Sequence, residues 1–250
     1  MRIAIISDIH ANVLALQAVF ADMQSYGIDQ IVNAGDILYG PLWPSQTYEF
    51  LQKYSAITIK GNQDREIYEA TSDDLNKRPI LRYTVNDLED KAIEWLKSLP
   101  ETKTEGDLFI CHGTPENDLA YLLEDVSSGA PFLRNDSVIL SLLDSCNSRV
   151  IVCGHTHIPR MVRLSTGQII VNPGSVGLQA YIDDFPVKHR MQTYSPDASY
   201  AIIENNKNDW TVLFRRVAYD HAAAAKHARQ LGNNSSEIWA SWLETGRADN

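Results

Sequence analysis

The sequence has few cysteines, no long apolar run and fewer basic than acidic residues. Its three cysteines, an odd number at scattered positions, do not form a disulfide framework and suit a reducing compartment. No stretch approaches the roughly 18 consecutive apolar residues of a transmembrane helix. The apolar segment at the amino terminus is interrupted by Asp8 and His10, well short of a signal-peptide core. We therefore expect a cytoplasmic protein with no membrane partner.

The shortage of basic residues also restricts the anionic partners. With 22 Lys and Arg against 32 Asp and Glu, the formal net charge is -10. Surfaces that bind extended nucleic acid or anionic lipid gain affinity by placing cations against phosphate, so such partners are not expected. A substrate that carries phosphate would need a local positive centre in this acidic chain.

The order of predicted elements indicates an α/β protein in a single domain spanning residues 1–250. A chain of 250 residues can bury most of its surface in one core, and we find no linker, repeat or low-complexity segment. The polar stretch 73–86 is predicted to be a solvated surface excursion that could serve as a lid. His221 and His227 are expected at the surface. Apolar patterns predict strands at 3–7, 31–34, 56–60, 108–111 and 150–152, hairpins at 161–171 and 199–217 (the latter joined by 205–209), and helices at 13–26, 47–54, 65–70, 88–99, 138–146, 220–231 and 236–243.

The strand at 150–152 ends in Cys153-Gly154-His155-Thr156-His157. Residues two apart in an extended chain point the same way, so His155 and His157 should project together from the end of this strand. Two imidazoles in this position are typical of a metal site, although a pair of this kind can also be a surface or hydrogen-bonded pair. Other polar residues at strand ends decide between these interpretations.

Similar polar residues follow the other predicted strands, where open α/β sheets place their ligands. Asp8 alone could be a turn or helix-capping carboxylate. The whole set mixes imidazole nitrogens with carboxylate oxygens, which suits Mn, Fe, Ni or Zn better than Mg or Ca. Seven ligands are too many for one ion but enough for two ions that share a carboxylate. The candidate metal ligands are Asp8, His10, Asp36, Asn62, His112, His155 and His157.

Such a centre would carry the positive charge that the rest of the chain lacks. Two divalent ions, two Asp carboxylates and a bridging hydroxide leave a charge of about +1, while the imidazoles and the amide add none. In a poorly hydrated pocket the nearest charges dominate over distant ones. The predicted centre would therefore attract a small phosphoester or nucleotide.

Five ordered blocks of this sequence resemble the calcineurin-like metallophosphoesterase superfamily. They are Asp8-x-His10, Gly35-Asp36-x-x-x-Gly40, Gly61-Asn62-x-Asp64, His112-Gly113 and Gly154-His155-Thr156-His157. The segments 172–177 and 199–201 are similar to those of its small bacterial and archaeal phosphodiesterase branch.

The resemblance implies a four-layer αββα sandwich with two mixed β-sheets flanked by helices. It also implies two metal ions with Asp36 as the bridging ligand. One ion would take Asp8, His10 and His157, and the other would take Asn62, His112 and His155. In the family, a hydroxide held by the metals attacks phosphorus in line.

The chain departs from the family pattern at two positions. Gln63 stands where the family usually has a His that contacts the phosphate and helps to protonate the leaving oxygen. A carboxamide can donate a hydrogen bond but cannot act as a general acid. We retain Gln63 and Asp64 as candidate catalytic residues. Ala11 replaces a Gly that many relatives carry, and we expect no loss of metal from that change.

These observations favour an enzyme, a dinuclear-metal phosphodiesterase. A phosphomonoesterase, including a protein phosphatase, or a dinucleoside-polyphosphate hydrolase would have the same metal site and differ in pocket shape. Because Gln63 cannot act as a general acid, a different class of function is also considered, a non-catalytic metal-dependent sensor of phosphate or nucleotide. The sequence does not identify the oligomeric state.

Overall fold

The computed structural model describes residues 1–206 and 209–249. Its first seven strands are β1 (Arg2–Ile6), β2 (Gln30–Asn33), β3 (Ile57–Thr58), β4 (Lys103–Glu105), β5 (Leu108–Ile110), β6 (Glu124–Asp125) and β7 (Phe132–Leu133). The remaining strands are β8 (Val150–Val152), β9 (Arg160–Arg163), β10 (Ile169–Asn172), β11 (Ala180–Asp183), β12 (His189–Gln192), β13 (Ala198–Asn206) and β14 (Asp209–Val217).

The helices lie between these strands and after the last of them. They are α1 (Val13–Met23), α2 (Pro44–Leu51), α3 (Asn62–Glu69), α4 (Ser72–Lys77), α5 (Pro79–Asp87), α6 (Asp90–Ser98), α7 (Asp136–Leu143), α8 (His221–Arg229) and α9 (Asn234–Thr245). A short 3₁₀ turn, Gln24–Tyr26, extends α1. Within the described part of the chain, no helix combines the length and the apolar character needed to span a bilayer.

The strands form two five-stranded mixed sheets. The first has the order β14-β13-β1-β2-β3, in which β1, β2 and β3 are parallel and β13 is antiparallel to β1. The second has the order β4-β5-β8-β10-β9, with β5, β8 and β10 parallel. The carboxyl ends of parallel strands meet at one edge of a sheet, so the loops after β1 and β2 come together, as do those after β5 and β8.

Strand alternation explains how the sheets stack. Successive side chains of a strand face opposite sides, so Ile3 and Ile5 of β1 pack in one apolar cluster with Val150 and Val152 of the second sheet. Ala4, between them in the sequence, packs instead among residues of α1 and the other helices of the first sheet. The result is two packed sheets with helices outside, which confirms the predicted fold class.

The main predicted helices and parallel strands are confirmed, with shifted ends. Asn12 caps α1 by accepting from the Ala15 N–H at 3.2 Å, and Gly27 ends this segment with φ of 59°. Both predicted hairpins are present as antiparallel pairs, β9 with β10 and β13 with β14. Of the predicted connection 205–209, residues 207 and 208 lie outside the described residues.

The prediction for residues 73–86 was wrong. They form α4 and α5, and α5 buries Ile80, Leu81 and Thr84. Their polar composition hid three buried positions at helical spacing. His227 was also misplaced at the surface, since it is half-buried and stacks on Trp43 with 4.3 Å between the ring centroids.

Several short strands were not predicted from the sequence. β4, β6, β7, β11 and β12 contain two to four residues each, and burial alternates along β12 but not clearly along the other four. Their strand pairing depends on neighbours that are distant in the chain, which local periodicity does not report. β11, which pairs with β12, contributes to the wall of the cavity described below.

Candidate metal centre

The loops that follow β1, β2, β5 and β8 bring six of the predicted ligands into two groups. Within each group one potential ligand atom per residue lies within 4.8 Å of the others, and all six side chains are buried. The first group is Asp8, His10 and His157, and the second is Asp36, His112 and His155.

Short distances connect the members of each group. In the first group, Nε2 of His157 lies 3.1 Å from Nε2 of His10 and 3.3 Å from Oδ1 of Asp8. In the second, Nε2 of His112 lies 3.4 Å from Oδ2 of Asp36. The same nitrogen is 4.0 Å from Asp8 Oδ1, so the two groups adjoin. A pair of neighbouring cation sites is the arrangement that the sequence predicted.

Asn62, the seventh predicted ligand, begins α3 beside the second group. Its side chain is buried, lines the cavity and has an Oδ1 atom with no hydrogen-bond partner among the described residues. Asp8 Oδ2 and His112 Nε2 are likewise buried without a partner in the described chain. Buried polar atoms are rarely left without a hydrogen-bond partner. Three such oxygen and nitrogen atoms at one place fit the binding of divalent cations.

Backbone carbonyl groups fix the orientation of the imidazoles. Nδ1 of His112 donates to the Ala34 carbonyl at 2.8 Å, and Nδ1 of His157 donates to the Leu178 carbonyl at 2.6 Å. A donating Nδ1 leaves Nε2 with a lone pair for a metal. His155 uses the other tautomer, since its Nε2 donates to Leu119 O at 3.2 Å and Nδ1 is the free nitrogen.

The protonation states also suit a metal site. Burial lowers the pKa of both His10 and His155 to about 4, so both rings are neutral at pH 7 and can act as ligands. Burial opposes ionisation of Asp36, but the nearby imidazoles of His112, His10 and His155 together outweigh it and lower the pKa of this carboxyl group. Burial opposes protonation of His112, but Asp36, with Asp8 and the Ala34 carbonyl, outweighs it and raises the pKa of that ring to about 10, so a metal ion that binds Nε2 would displace a proton.

Unusual backbone conformations are concentrated at this centre. Of the eight described non-glycine residues with positive φ, six belong to it: Asp8, His10, Ala11, Asp36, His155 and His157, with φ between 49° and 68°. L-residues in this region cost on the order of 1 kcal/mol each, so packing and hydrogen bonds must hold them there. Ala11, with φ of 59°, occupies a position where glycine would be unstrained.

Two glycines allow the loops of the centre to approach one another. A Cβ atom on Gly61 would lie 2.2 Å from Asp36 Oδ1, and one on Gly154 would lie 2.1 Å from Ser7 Oγ. Any side chain at Gly61 would therefore displace the carboxylate of Asp36. Glycine is required here for close approach, which explains its presence in the two motifs.

The predicted loop 172–177 supports the histidine loop from behind. Nδ2 of Asn172 donates to the Gly154 carbonyl at 2.7 Å and to Thr156 Oγ1 at 3.0 Å. Ser175 Oγ donates to the backbone carbonyl of Asp8 at 2.8 Å. These bonds connect the loops after β1, β8 and β10 and hold His155 and His157 in place.

Gln63 and Asp64 lie in different surroundings although they are adjacent in the chain. Gln63 lines the cavity, and its N–H donates to Asp36 Oδ1 at 2.9 Å. Asp64 is fully buried, and its carboxylate accepts from the N–H groups of Ile37 at 2.8 Å and Gly61 at 3.0 Å. Gly61 occupies the N-cap position of α3, and Asp64 is the third residue of the helix, from which its carboxylate reaches back to the Gly61 N–H. Burial and the repulsion from Asp36 raise the pKa of Asp64 to about 7.

Aromatic residues that the sequence did not single out surround the centre. Tyr181 donates to the carbonyl of His155 at 2.9 Å, and its ring centroid is 4.7 Å from that of His157. The rings of Tyr121 and Trp239 lie 4.7 Å from His155 and 5.7 Å from His10, respectively. No spacing in the sequence connects these three residues with the motifs.

The metal centre opens into a cavity of about 840 Å³. His10, Asp36, Asn62, His155 and His157 reach its surface. The other walls include residues of the segment 117–134, of β11 and the turn after it, and of α9. A ligand could thus contact the metal-binding side chains and a large protein surface at the same time.

Comparisons with known proteins agree with this geometry. The chain is 27% identical over 230 residues to the uncharacterized protein MJ0912 of Methanocaldococcus jannaschii, covering 87% of this chain and 88% of that protein. Its fold is similar to the crystal structure of a metallophosphoesterase from Sphaerobacter thermophilus, with a TM-score of 0.75 and 26% identity over 97% of this chain and 100% of the other.

A family-level match covers most of the chain and includes all seven predicted ligands. Residues 1–185 match the sequence model described as the calcineurin-like phosphoesterase superfamily domain. Together with the two candidate metal-binding triads, this match assigns the protein: the chain belongs to the calcineurin-like phosphoesterase superfamily.

Proposed function

We propose that the protein is a dinuclear-metal phosphodiesterase that acts on small phosphoesters. The observation that carries this proposal is the pair of adjoining, buried triads of imidazole and carboxylate ligands at the base of a cavity. A single structural metal would need only one such group and no open cavity beside it. Two adjacent sites match the arrangement that stabilises both the attacking and the leaving oxygen in phosphoryl transfer.

We assign the ligands as the family resemblance suggests. Asp8, His10, Asp36 and His157 would hold one ion, and Asp36, Asn62, His112 and His155 would hold the other. Nitrogen and oxygen donors of this mixture suit Mn, Fe, Ni or Zn. When bound, the two ions would supply Lewis-acid charge for the phosphate and would lower the pKa of water to give a nucleophile.

The protein's own groups would place the substrate and keep the ligands rigid. Gln63 lines the cavity, so its side-chain N–H groups would be placed to donate to a phosphate oxygen. Asp64 would act as a positioning residue, because it bonds to the backbone of the Asp36 loop and of Gly61 instead of reaching the cavity. Because the carboxamide of Gln63 does not titrate, this residue would not act as a general acid.

Two measurements on the same preparation test the proposal. Metal analysis of protein incubated with Mn²⁺ should give two ions per chain, and bis(p-nitrophenyl) phosphate should be hydrolysed faster than p-nitrophenyl phosphate. Asp36→Asn should lose both ions and the activity, whereas Asp22→Asn, a matched change outside the centre, should lose neither. Two bound ions with no turnover of either ester would favour the sensor, and a preference for the monoester would favour the phosphomonoesterase.

A further inference from the structure

The walls of the cavity above the metal centre are rich in aromatic side chains. Six of its 27 lining residues are Phe, Tyr or Trp, whereas these types make up 9% of the chain. The six come from separate parts of the fold: Tyr39, Tyr121, Tyr181, Phe185, Trp239 and Trp242. Flat aromatic walls next to a phosphate-binding centre are suited to stacking a planar group.

Helix α9 supplies the part of this wall that lies beyond the matched family segment, which ends at residue 185. Trp239 contacts His10 on one side and is 6.2 Å from the ring of Trp242 on the other, so α9 extends the cavity outward from the metal centre. The indole N–H groups of both tryptophans are buried and have no acceptor among the described residues. Each could donate to a polar edge of a ligand.

The helix is held firmly enough to form a binding wall. Asn233 caps it by accepting from the Ser236 N–H at 3.0 Å, and Gly246 ends it with φ of 62°. Arg229 of α8 donates to Glu244 at 2.6 and 2.8 Å and to Glu237 at 2.9 Å. These contacts fix α9 without using the two tryptophans.

The charges of the lining limit the number of phosphates. Among the described lining residues Arg134 is the one Lys or Arg, and its Nη1 lies 3.7 Å from Asp125. Asp183 adds a further carboxylate to the wall, whereas the carboxylate of Glu66, also in the wall, is paired with Arg78. A chain of several phosphates would extend from the metal centre into a wall with excess negative charge, which disfavours a polyphosphate.

We propose that the aromatic wall of this cavity, completed by Trp242 of α9 and Phe185 after β11, binds the base of a nucleoside whose single phosphate lies at the metal centre. The inference rests on the proposed function and narrows its substrate class to nucleoside phosphodiesters. The cavity volume is large enough for one nucleotide, since small-molecule sites occupy about 300–1,000 Å³. Stacking on aromatic side chains changes the affinity for a base by roughly 5- to 150-fold.

Binding to Mn²⁺-loaded protein tests the proposal without turnover. Thymidine 5′-monophosphate and 2-deoxyribose 5-phosphate differ in the base, and calorimetry should show at least a roughly tenfold tighter Kd for the nucleotide. Trp242→Ala should reduce this ratio to about threefold or less. Phe185→Ala should reduce it in the same direction, and because Phe185 is 79% exposed, this variant is expected to fold even if Trp242→Ala does not.

Two matched variants serve as controls. Trp95→Ala and Phe214→Ala remove aromatic rings that do not line the cavity, and both should keep the wild-type ratio. Equal affinities of the wild type for the two ligands, or an unchanged ratio in Phe185→Ala and Trp242→Ala, would overturn the proposal.

A kinetic comparison separates this inference from the proposed function. Thymidine 5′-(p-nitrophenyl phosphate) and methyl p-nitrophenyl phosphate release the same phenolate, so kcat/KM should differ through the base. Hydrolysis of both esters at equal rates, with no base-dependent binding, would support the proposed phosphodiesterase activity and refute the proposed aromatic site. Base-dependent binding without hydrolysis of either ester would support the aromatic site and refute the phosphodiesterase.

Discussion

Gln63 is the residue at which this chain departs most clearly from its family's chemistry. Its backbone N–H donates to Asp36 Oδ1 at 2.9 Å, and the residue lines the cavity. Position 63 is therefore still part of the candidate metal centre although the residue type has changed. A carboxamide can bond to a phosphate oxygen, but it cannot release a proton to the leaving group. The consequence should be visible in the dependence of rate on leaving-group acidity.

Gln63→His should therefore speed the hydrolysis of diesters with poor leaving groups. General acid catalysis contributes about 10² to 10⁴, so the gain should approach this range for alkyl leaving groups and vanish for nitrophenolates. The measurement is kcat/KM for a series of aryl and alkyl diesters with graded leaving-group pKa. Gln52→His, outside the cavity, is the control and should change nothing. An equally shallow dependence in the wild type and in Gln63→His would disprove this account.

Single residues also show what the sequence could and could not predict. The seven candidate ligands and their order could be recognised because each follows a strand and belongs to a motif. The positive φ values of Asp8, Asp36 and His157 could not, since such strain depends on packing between distant loops. Tyr121 and Trp239 were missed for a related reason: aromatic side chains are most often part of the core, and no local pattern marks those that line a cavity.

At the scale of elements, buried parallel strands were the easiest features to predict. β1, β5 and β8 are short apolar runs that end in polar turns, and their burial makes this pattern continuous. The helices α4 and α5 were not predicted because most of their residues are polar. The β11–β12 pair was not predicted because strands of four residues become stable only through tertiary contacts.

The contact between α1 and the β13–β14 hairpin allows a prediction about stability. Asp22 of α1 accepts from Arg215 at 2.9 and 3.0 Å and from the Tyr200 hydroxyl at 2.7 Å. The hydrogen bonds from Arg215 outweigh the effect of burial and lower the pKa of Asp22 below its ordinary value of 3.8. A carboxyl group with a depressed folded-state pKa stabilises the protein above pH 3.8, and this contribution is lost as the pH falls through the folded-state value.

Asp22→Asn should lower the free energy of unfolding by about 1–2 kcal/mol at pH 7, since it weakens hydrogen bonds between charged groups that are partly shielded from water. Urea unfolding of both proteins at a series of pH values should show the difference shrinking below pH 3.8. Asp73→Asn changes an exposed pair with Lys77 and should have no measurable effect. A difference between wild type and Asp22→Asn that is independent of pH would contradict the assigned ion pair.

At the scale of the whole molecule, the acidic balance of the chain and the metal centre have to be considered together. The formal net charge is -10, and Asp8, Asp36 and Asp64 add three buried carboxyl groups close to one another. Loading the centre with divalent ions would offset this local repulsion and fix the loops that follow four strands. Because the unfolded chain does not present the ligands together, the ions should bind mainly to the folded state.

Metal ions should therefore raise the thermal stability. At about 100 times its Kd, one ion stabilises the folded state by about 2.7 kcal/mol, which corresponds to roughly 5–10 °C in Tm for a chain of this size. The measurement is Tm by circular dichroism after chelation and after titration with Mn²⁺. Asp22→Asn should start from a lower Tm but keep the full increase. Asp36→Asn should lose the increase, because its carboxylate is assigned to both ions, and a full increase in that variant would show that Asp36 is not the shared ligand.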